Sequence, residues 1–324
     1  MNILVTGGAG YIGSVTVEQL IEQDYRVVVI DSMERGHKKA VHPDATLVEG
    51  NIGSKKTVAD ILRNYDIDAV MHFAADSLVG ESMENPAKYF HNNVTCGLTL
   101  MHTAAEHGVK RFILSSTAAT YGEPNEIPIP ETHPNAPTNP YGESKLMLEK
   151  ILKWFYQSYG MQYTALRYFN ACGASKRFGE DHDPETHLIP LVLDAATGKR
   201  KFISVFGDDY PTPDGTCIRD YIHVIDLAKA HILALNTDGS GIFNLGNGQG
   251  FSVKEVIAAV ELVTGKKIAV KIAPRRAGDP ARLVASSEKA QKELGWKPLY
   301  PSLEDMVGTA WKWKCANPEG YKDK

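Results

Sequence analysis

The stretch Thr6-Gly7-Gly8-Ala9-Gly10-Tyr11-Ile12-Gly13 follows a short apolar segment at the start of the chain. Gly8, Gly10 and Gly13 satisfy the pattern G-x-G-x-x-G, and Gly7, Gly10 and Gly13 are spaced by three residues. Glycines in this pattern allow a tight turn after a strand and let the backbone approach a pyrophosphate. Free N–H groups at the N-terminus of the next helix then bind the negative charge. A glycine-rich turn without a ligand is the alternative, but the position after a first strand favours a βαβ unit that binds a dinucleotide.

The first half of the chain alternates short apolar runs with longer amphipathic segments. Strands are predicted over residues 2–6, 26–30, 46–49, 69–73, 111–115 and 163–168. Helices are predicted near residues 12–23, 54–64, 86–107 and 140–159. Consecutive apolar positions, as in the run Val27-Val28-Val29-Ile30, are typical of parallel strands covered by helices on both faces. This order predicts an α/β fold with a doubly wound parallel sheet of the Rossmann type.

The alternation becomes irregular after about residue 169, where glycine and proline are denser. Helices are expected again near residues 224–236, 253–264, 287–294 and 303–312. We expect residues 1–168 to form a dinucleotide-binding domain, with a returning segment near residues 221–246. Residues 169–324 are expected to form a smaller, partly discontinuous α/β domain that binds the substrate and closes over the carboxyl ends of the strands.

Charge and composition exclude several classes of partner. The 324 residues carry 35 Lys and Arg against 39 Asp and Glu, a formal net charge of −4, so nucleic acid is not expected to bind. No apolar run approaches the ~20 residues that span a bilayer, and the N-terminus lacks the pattern of a secretory signal. The four cysteines form no C-x-x-C pair and are interpreted as reduced thiols. We therefore expect a cytoplasmic enzyme without a membrane partner.

Asp31 ends the second predicted strand, 18 residues after Gly13. A carboxylate at this point of a βαβ unit hydrogen-bonds the adenosine ribose hydroxyls of a dinucleotide. It also repels a 2′-phosphate, so NAD is expected as the cofactor rather than NADP. Arg35, His37 and Lys38 follow closely and would weaken this preference if they faced the ribose, but we interpret them as a solvated loop.

Tyr141 and Lys145 share one face of a predicted helix. Ser115-Ser116-Thr117 follows the fifth predicted strand, at the sheet edge where ligands bind in this architecture. Oxidation of an alcohol by a nicotinamide needs a base, and free Tyr has a pKa of about 10. An ammonium about 5 Å away, at an effective dielectric of about 20, contributes roughly 3 kcal/mol, or about two pKa units. We therefore expect Lys145 to lower the pKa of Tyr141, Tyr141 to act as the base, and Thr117 to pass the proton.

Together, the glycine stretch, the Ser-Ser-Thr segment and the Tyr/Lys pair resemble the extended short-chain dehydrogenase/reductase family. Finer motifs are similar to those of its UDP-sugar 4-epimerases: His72-Phe-Ala-Ala75, Val79-Gly-Glu-Ser82, Asn92-Asn93-Val94, Arg167-Tyr-Phe-Asn170, Gly215-Thr-Cys-Ile-Arg-Asp-Tyr-Ile-His-Val224, Asn244-Leu-Gly246 and Pro274-Arg-Arg-Ala-Gly-Asp279. The likeness runs from Met1 to the segment Trp311/Trp313, essentially the whole chain. It implies an isomerase of galactose metabolism that uses NAD to epimerise UDP-glucose and UDP-galactose reversibly at C4, through a transient 4-keto intermediate.

The resemblance also implies which residues contact each ligand. For NAD they are Gly7, Gly10, Tyr11, Ile12, Gly13, Asp31, Asn51, Ile52, Phe73, Ala74, Ala75, Asn92, Ser115, Tyr141, Lys145 and Tyr168. For the UDP-sugar they are Thr117, Asn170, His187, Leu188, Phe206, Arg219, Tyr221, Arg276, Asp279 and Leu283. Arg219 and Arg276 suit a diphosphate, because guanidinium groups bind such oxyanions in bidentate fashion. Asp279 suits the hydroxyls of the nucleotide ribose.

The chain departs from the pattern of this family at four positions. Ala75 stands where many members have Gly, and Ser77 where some have a Lys that helps to hold NAD, which implies weaker cofactor retention. His187 stands where some members have Asn, although a backbone contact to uracil would survive the change. Leu283 stands where members restricted to plain hexoses carry Tyr. The smaller side chain predicts that UDP-N-acetylglucosamine and UDP-N-acetylgalactosamine are accepted as well.

Other functions on this fold make different demands on the sequence. A nucleotide-sugar 4,6-dehydratase needs an acid and a base directly after the Thr, where this chain has Ala118 and Ala119. A non-catalytic NAD sensor commonly lacks the Tyr/Lys pair, which is present here. A net-oxidising dehydrogenase would release NADH in each turnover. Epimerisation of another UDP-sugar at C4 stays open as an alternative.

The predicted helix around residues 145–157 has an apolar arc of roughly 200°, whereas a helix that covers only its own sheet needs little over about 100°. The surplus predicts a homodimer, and the resemblance implies an interface that also includes the helix near residues 86–107. Coverage by the C-terminal domain is the alternative.

The segment Asp181-His182-Asp183 with Glu185 and His187 resembles a metal-ligand set. Because the sequence gives it no rigid frame and no step requires a metal, no metal site is expected.

Overall fold

The computed structural model describes residues 1–276 and 279–322. The strands are β1 (Asn2–Thr6), β2 (Arg26–Asp31), β3 (Thr46–Glu49), β4 (Ala69–His72), β5 (Arg111–Thr117), β6 (Gln162–Tyr168), β7 (Asn170–Cys172), β8 (Ile203–Phe206), β9 (Ile218–Arg219), β10 (Tyr221–His223), β11 (Gly241–Leu245), β12 (Phe251–Ser252), β13 (Val270–Ala273) and β14 (Arg282–Leu283). The α-helices are α1 (Tyr11–Ile21), α2 (Lys55–Tyr65), α3 (Val79–Glu84), α4 (Pro86–Tyr89), α5 (Gly97–Glu106), α6 (Pro140–Tyr159), α7 (Leu188–Ala196), α8 (Val224–Leu235), α9 (Val253–Thr264), α10 (Glu288–Glu293) and α11 (Leu303–Ala316).

Seven strands form one parallel sheet in the order β11-β6-β5-β4-β1-β2-β3. The order reverses between β1 and β4, which opens a crevice at their carboxyl ends. Consecutive side chains explain why both faces are apolar: Val27 and Val29 pack into the layer on one side of the sheet, and Val28 and Ile30 into the layer on the other. The predicted α/β fold with a doubly wound parallel sheet is confirmed.

The segment predicted as one helix over residues 86–107 is helical from Pro86 to Glu106, but its middle, Phe90–Cys96, is π-helical. Asn93 lies in this wider turn and is completely buried. Its side chain accepts from the backbone N of Asp76 at 2.9 Å and donates to the Asp76 carbonyl oxygen at 3.0 Å. Asn93 in the π turn therefore holds the loop after β4 in place. Such π turns are frequent at functional sites.

Helix α6 begins and ends where the sequence predicts it. The Asn139 side chain accepts from the Gly142 N–H at 2.9 Å, and Pro140 occupies the first turn. Gly160 ends the helix with φ +69°, a conformation that glycine adopts without strain. These two caps fix where Tyr141 and Lys145 stand relative to the sheet.

The C-terminal half both completes the sheet and adds a second layer of elements. β11 extends the central sheet beside β6, whereas β10 pairs with β7 outside it. Within the described ranges, two small sheets have the orders β12-β9-β14 and β13-β8, and their strands β8 and β12 pack with α7, α9 and α11 around a separate apolar core. None of the helices in the described part of the chain is long and apolar enough to cross a membrane.

Candidate active site

In the glycine turn after β1, neighbouring backbone segments lie so close together that side chains would not fit between them. Gly7 has φ +71°, and a Cβ there would lie 2.6 Å from the backbone N of Ala74. A Cβ on Gly13 would lie 2.2 Å from the Gly7 carbonyl oxygen. Either substitution would push the first turn of α1 away from the sheet, so both positions require glycine.

The first turn of α1 retains its capacity to bind an anion. Gly10 is the N-cap and provides no side-chain hydrogen bond, whereas Ser54 and Asn139 cap α2 and α6 with theirs. The leading N–H groups of an α-helix lack intrahelical acceptors and carry the positive end of its dipole. The turn therefore fits the pyrophosphate of a dinucleotide.

Asp31 ends β2 beside this turn and is nearly buried. Its carboxylate accepts from the backbone N–H groups of Ala9 at 3.0 Å and Met33 at 2.9 Å. Two backbone donors hold the carboxylate in one orientation, at the edge where the sequence predicts ribose recognition. Nearby, Arg35 forms an ion pair with Glu81 at 3.2 Å.

The remaining predicted cofactor residues follow neighbouring strands. Phe73, Ala74 and Ala75 come directly after β4, and the Phe73 ring lies 4.6 Å from that of His231. Asn92 donates to an Asp76 carboxylate oxygen at 3.0 Å. Asn51 and Ile52 follow β3, where Asn51 is exposed and Ile52 is buried in the core. Only the backbone of Ile52 is therefore available to a ligand.

Tyr141, Thr117 and Lys145 meet at the carboxyl end of β5. Tyr141 lies in the first turn of α6, with its hydroxyl close enough to the Thr117 side chain for that group to influence its pKa. Lys145 is 2% exposed, and its Nζ donates to the Ser115 carbonyl oxygen at 2.9 Å. The Ser115 hydroxyl is hydrogen-bonded to that of Tyr168 on the adjacent strand. The arrangement brings two phenols, two aliphatic hydroxyls and an ammonium group together at one edge of the sheet.

At this junction of Tyr141, Thr117 and Lys145, burial is the largest cause of the pKa shifts of Tyr141 and Lys145. Burial raises the pKa of Tyr141 above the usual value, and the nearby Thr117 hydroxyl opposes that effect only in part. Burial lowers the pKa of Lys145 to about 8, against the attraction of the Glu149 carboxylate. The expected lowering of the Tyr141 pKa by Lys145 does not occur in the chain by itself, because burial raises that pKa and the Lys145 ammonium donates to the Ser115 carbonyl oxygen.

A buried ion pair behind Lys145 was missed by the sequence analysis. Glu149 is one turn further along α6 and accepts from Arg167 Nε at 2.9 Å, from Arg167 Nη2 and from the Ser116 hydroxyl. The Arg167 guanidinium also lies 4.7 Å from the centre of the Tyr121 ring. The spacing of Lys145 and Glu149 by four residues was the available signal, because it puts both on the same helix face.

A cavity of about 790 Å³ lies in the C-terminal half, within the range typical of ligand sites. Its wall includes Asn170, which follows Tyr168 by two residues. Eight predicted substrate residues line it: Asn170, His187, Leu188, Phe206, Arg219, Tyr221, Arg276 and Asp279. The structure therefore groups these residues, which are far apart in the sequence, around one cleft next to the Tyr168 strand.

The charged residues of this cleft have definite partners. Arg219 forms an ion pair with Asp279 and donates from Nη1 to the Ile218 carbonyl oxygen at 2.8 Å. The Arg276 guanidinium lies 4.0 Å from the centre of the Phe206 ring. A diphosphate would have to draw Arg219 partly away from Asp279, whereas Arg276 lies over an aromatic face, an arrangement in which a guanidinium can still bind an oxyanion.

Leu283 lies on β14, hydrogen-bonded in register with Arg219 of β9. Its carbonyl oxygen accepts from the Asp220 N–H at 2.9 Å, and its side chain is half-buried. The side chain is therefore held next to the strand that carries Arg219, although it does not belong to the wall of the cavity as the described residues define it.

Known proteins resemble this chain over its whole length. Residues 3–246 match the model of the NAD dependent epimerase/dehydratase family. A UDP-glucose 4-epimerase of Halalkalibacterium halodurans is 57% identical over 334 residues, with 100% of both chains covered.

Two solved structures carry the likeness into three dimensions. A crystal structure of a UDP-glucose 4-epimerase has a TM-score of 0.97 at 51% identity and covers 99% of this chain and 100% of its own. The UDP-glucose 4-epimerase of Bifidobacterium longum, in complex with NAD⁺ and UDP, has a TM-score of 0.93 at 39% identity, with 99% and 100% covered. The whole fold is shared with these enzymes.

Proposed function

The chain belongs to the NAD dependent epimerase/dehydratase family, and we propose that it is an isomerase that interconverts UDP-glucose and UDP-galactose. The hydroxyl at C4 of the hexose is inverted through a transient 4-keto sugar. NAD, when bound, supplies a reversible hydride acceptor. The observation that carries this proposal is the meeting of Tyr141, Thr117 and Lys145 at the end of β5, close to the cleft that includes Asn170.

The ionised Tyr141 oxygen is the proposed base for the 4-hydroxyl proton, and Thr117 passes the proton between the sugar and this phenolate. Because burial raises the pKa of Tyr141 in the chain itself, the phenol needs a nearby positive charge to ionise. Lys145, which donates to the Ser115 carbonyl oxygen, is within the same junction and can turn toward a bound ribose and the phenol. An oxidised nicotinamide, when bound, would supply a second positive charge.

The cofactor fits the residues at the β1–α1 turn. The glycine backbone and the uncapped first turn of α1 would hold the pyrophosphate, and the fixed Asp31 carboxylate would accept from the ribose hydroxyls. Arg219 and Arg276 would hold the diphosphate of the substrate. Binding strength then resides in the UDP portion, so that the keto-hexose can turn over within the cleft while the nucleotide stays fixed.

The test of this function is to incubate UDP-galactose with the purified protein and NAD and to follow the products by NMR. UDP-glucose should accumulate until the two sugars reach equilibrium, without production of free NADH. Failure to form UDP-glucose with saturating NAD would overturn the proposal. A 4-keto-6-deoxy sugar would favour a dehydratase instead, although Ala118 and Ala119, in the turn after Thr117, have no group that can transfer a proton.

We propose that the two ligands bind to different parts of the chain. Residues 1–168 with the segment near 221–246 hold the cofactor, and the remainder of 169–324 holds the UDP-sugar. Support comes from β11, which extends the central sheet, and from the cavity, whose wall belongs to the C-terminal half. In calorimetry, Arg276→Ala should lose UDP affinity and keep NAD affinity; equal loss of both would contradict the division.

Enrichment of the chain outside the cytoplasmic fraction of its cells would contradict the expected cytoplasmic location.

We propose that the chain forms a homodimer through α5 and α6. The alternative, coverage of α6 by the C-terminal half, leaves its outer aromatic residues unexplained, since Trp154 is 67% and Tyr159 56% exposed. Leu98 of α5 is 42% exposed on the neighbouring helix. Exposed apolar side chains on two neighbouring helices are typical of a protein interface. Light scattering should give twice the chain mass, and Trp154→Glu should shift it toward one chain; a monomeric parent protein at micromolar concentration would contradict the dimer.

A further inference from the structure

Four potential metal ligands converge in the loop that leads into α7. Glu180, His182, Glu185 and His187 each offer one donor atom, and these atoms all lie within 4.8 Å of one another. His187 Nδ1 lies 2.7 Å from Glu180 Oε1 and 3.2 Å from Glu185 Oε1. His182 Nδ1 lies 3.2 Å from Glu180 Oε1 and 3.7 Å from Glu185 Oε2. Both imidazole rings therefore turn the same nitrogen toward the two carboxylates.

The two carboxylates are well shielded, whereas the His182 and His187 side chains are 34% and 47% exposed, and two of the donor atoms are not satisfied by their neighbours. The Glu180 side chain is 7% and the Glu185 side chain 12% exposed. Glu180 Oε1 and His182 Nδ1 are buried at ion-pair distance, yet neither makes a well-aligned hydrogen bond. Buried polar atoms without a hydrogen-bond partner are rare in folded proteins, and each calls for a bound ion, a water or a special role. A cation between the four side chains would satisfy both atoms.

We propose that this cluster binds a divalent transition metal, for which Zn²⁺ is the best match. Two imidazole nitrogens and two carboxylate oxygens are a donor set that Zn²⁺ accepts in tetrahedral geometry. Mg²⁺ and Ca²⁺ prefer oxygen donors throughout and would not select two histidines. With neutral imidazoles the four side chains carry a charge of −2, which one divalent ion neutralises.

The structure supplies the rigid frame that the sequence did not reveal. His187 is the N-cap of α7, and the His182 ring packs edge-on against Tyr11 with ring centres 6.2 Å apart. The Tyr11 hydroxyl in turn donates to the Gly173 carbonyl oxygen at 2.6 Å. Asp181, which the sequence analysis had included, points elsewhere and accepts from the Tyr321 N–H at 2.9 Å. Glu180 takes its place among the donors.

The position of the cluster indicates what the metal would do. Glu185 and His187 belong to the wall of the substrate cleft, and Tyr11 opens the helix proposed to bind the pyrophosphate. A bound ion would therefore tie the cleft wall to the cofactor side of the molecule without taking part in the chemistry. This role does not depend on the proposed epimerase reaction, and metal binding is measurable without substrate.

The experiment uses the full-length protein with its NAD, treated with a chelator and then titrated with Co²⁺, whose visible absorption reports tetrahedral coordination. One equivalent per chain should produce the absorption, and Zn²⁺ should abolish it by displacement. His182→Gln should lose the absorption and stoichiometric binding, whereas His91→Gln, at an exposed histidine elsewhere, should keep both. Zn²⁺ at a hundredfold excess over its Kd should also raise the melting temperature of the parent protein by about 5 °C.

Absence of stoichiometric binding, or binding that His182→Gln and Glu180→Gln leave unchanged, would overturn the proposal and leave a cluster of ion-paired histidines. If either variant fails to fold, X-ray absorption on the Zn²⁺-loaded parent protein decides the question. Two imidazole nitrogens and oxygens at about 2.0–2.2 Å are expected. A shell without imidazole would identify adventitious surface binding only.

Discussion

Replacing Glu149 by Gln removes one charge from a pair that is almost completely enclosed. The side chains of Arg167 and Glu149 are 1% and 2% exposed, and Glu149 accepts from Arg167 Nε, Arg167 Nη2 and the Ser116 hydroxyl. The neutral amide leaves the guanidinium buried without a counterion, which costs about 3–5 kcal/mol of unfolding free energy. Because Glu149 also raises the pKa of Lys145, that pKa should fall below its value of about 8, and the alkaline limb of the kcat profile should move to lower pH.

The assay is denaturant-induced unfolding at neutral pH together with kcat measured across the alkaline range. Asp60→Asn is the matched control, since it breaks an exposed pair with Arg63, 2.6 Å apart with side chains 44% and 64% exposed, and should cost less than about 1 kcal/mol. A loss below about 1 kcal/mol in Glu149→Gln would refute the role of the pair in stability. An unmoved alkaline limb would refute its effect on Lys145.

The other predictions concern the junction and the cleft. Tyr141→Phe should lower kcat by about 10²–10⁴, the usual share of a positioned acid–base group, while calorimetry finds UDP affinity unchanged; near-normal turnover would remove Tyr141 as the base. Lys145→Ala should lower both kcat and NAD affinity, and a loss confined to either one would contradict its double role. The parent protein should epimerise UDP-N-acetylglucosamine, and Leu283→Tyr should lower kcat/KM for that sugar more than for UDP-glucose, because a steric clash discriminates more steeply than a lost contact. If neither form converts the acetylated sugar, Leu283 does not control which UDP-sugars are accepted.

The parts of the fold that follow from local patterns were predictable. The run Val27-Val28-Val29-Ile30 predicted a strand buried on both faces, and its side chains do pack alternately into the two layers of the core. Helix α6 has its proline at the first turn and Gly160 just past its end, so both of its boundaries could be predicted. Such signals lie within a few residues of the feature that they determine.

Features that depend on contacts between distant residues could not be predicted in this way. The π turn at Phe90–Cys96 lies where Asn93 reaches the loop after β4, a contact that no helical pattern contains. Lys145 was expected to lower the Tyr141 pKa, but burial and the Ser115 carbonyl were invisible in the sequence. It likewise depends on the path of the loop that Glu180, and not Asp181, lies among the potential metal ligands.

In the proposed reaction, C4 of the hexose is inverted by loss and return of the same hydrogen within the active site of one chain. The most direct measurement starts from UDP-galactose carrying deuterium at C4, in ordinary water, and follows the label by NMR and mass spectrometry. The proposed reaction predicts UDP-glucose that retains the deuterium at C4, with no label in solvent or in free NADH. Product that has exchanged its C4 hydrogen with solvent, or label that accumulates in released NADH, would contradict the claim.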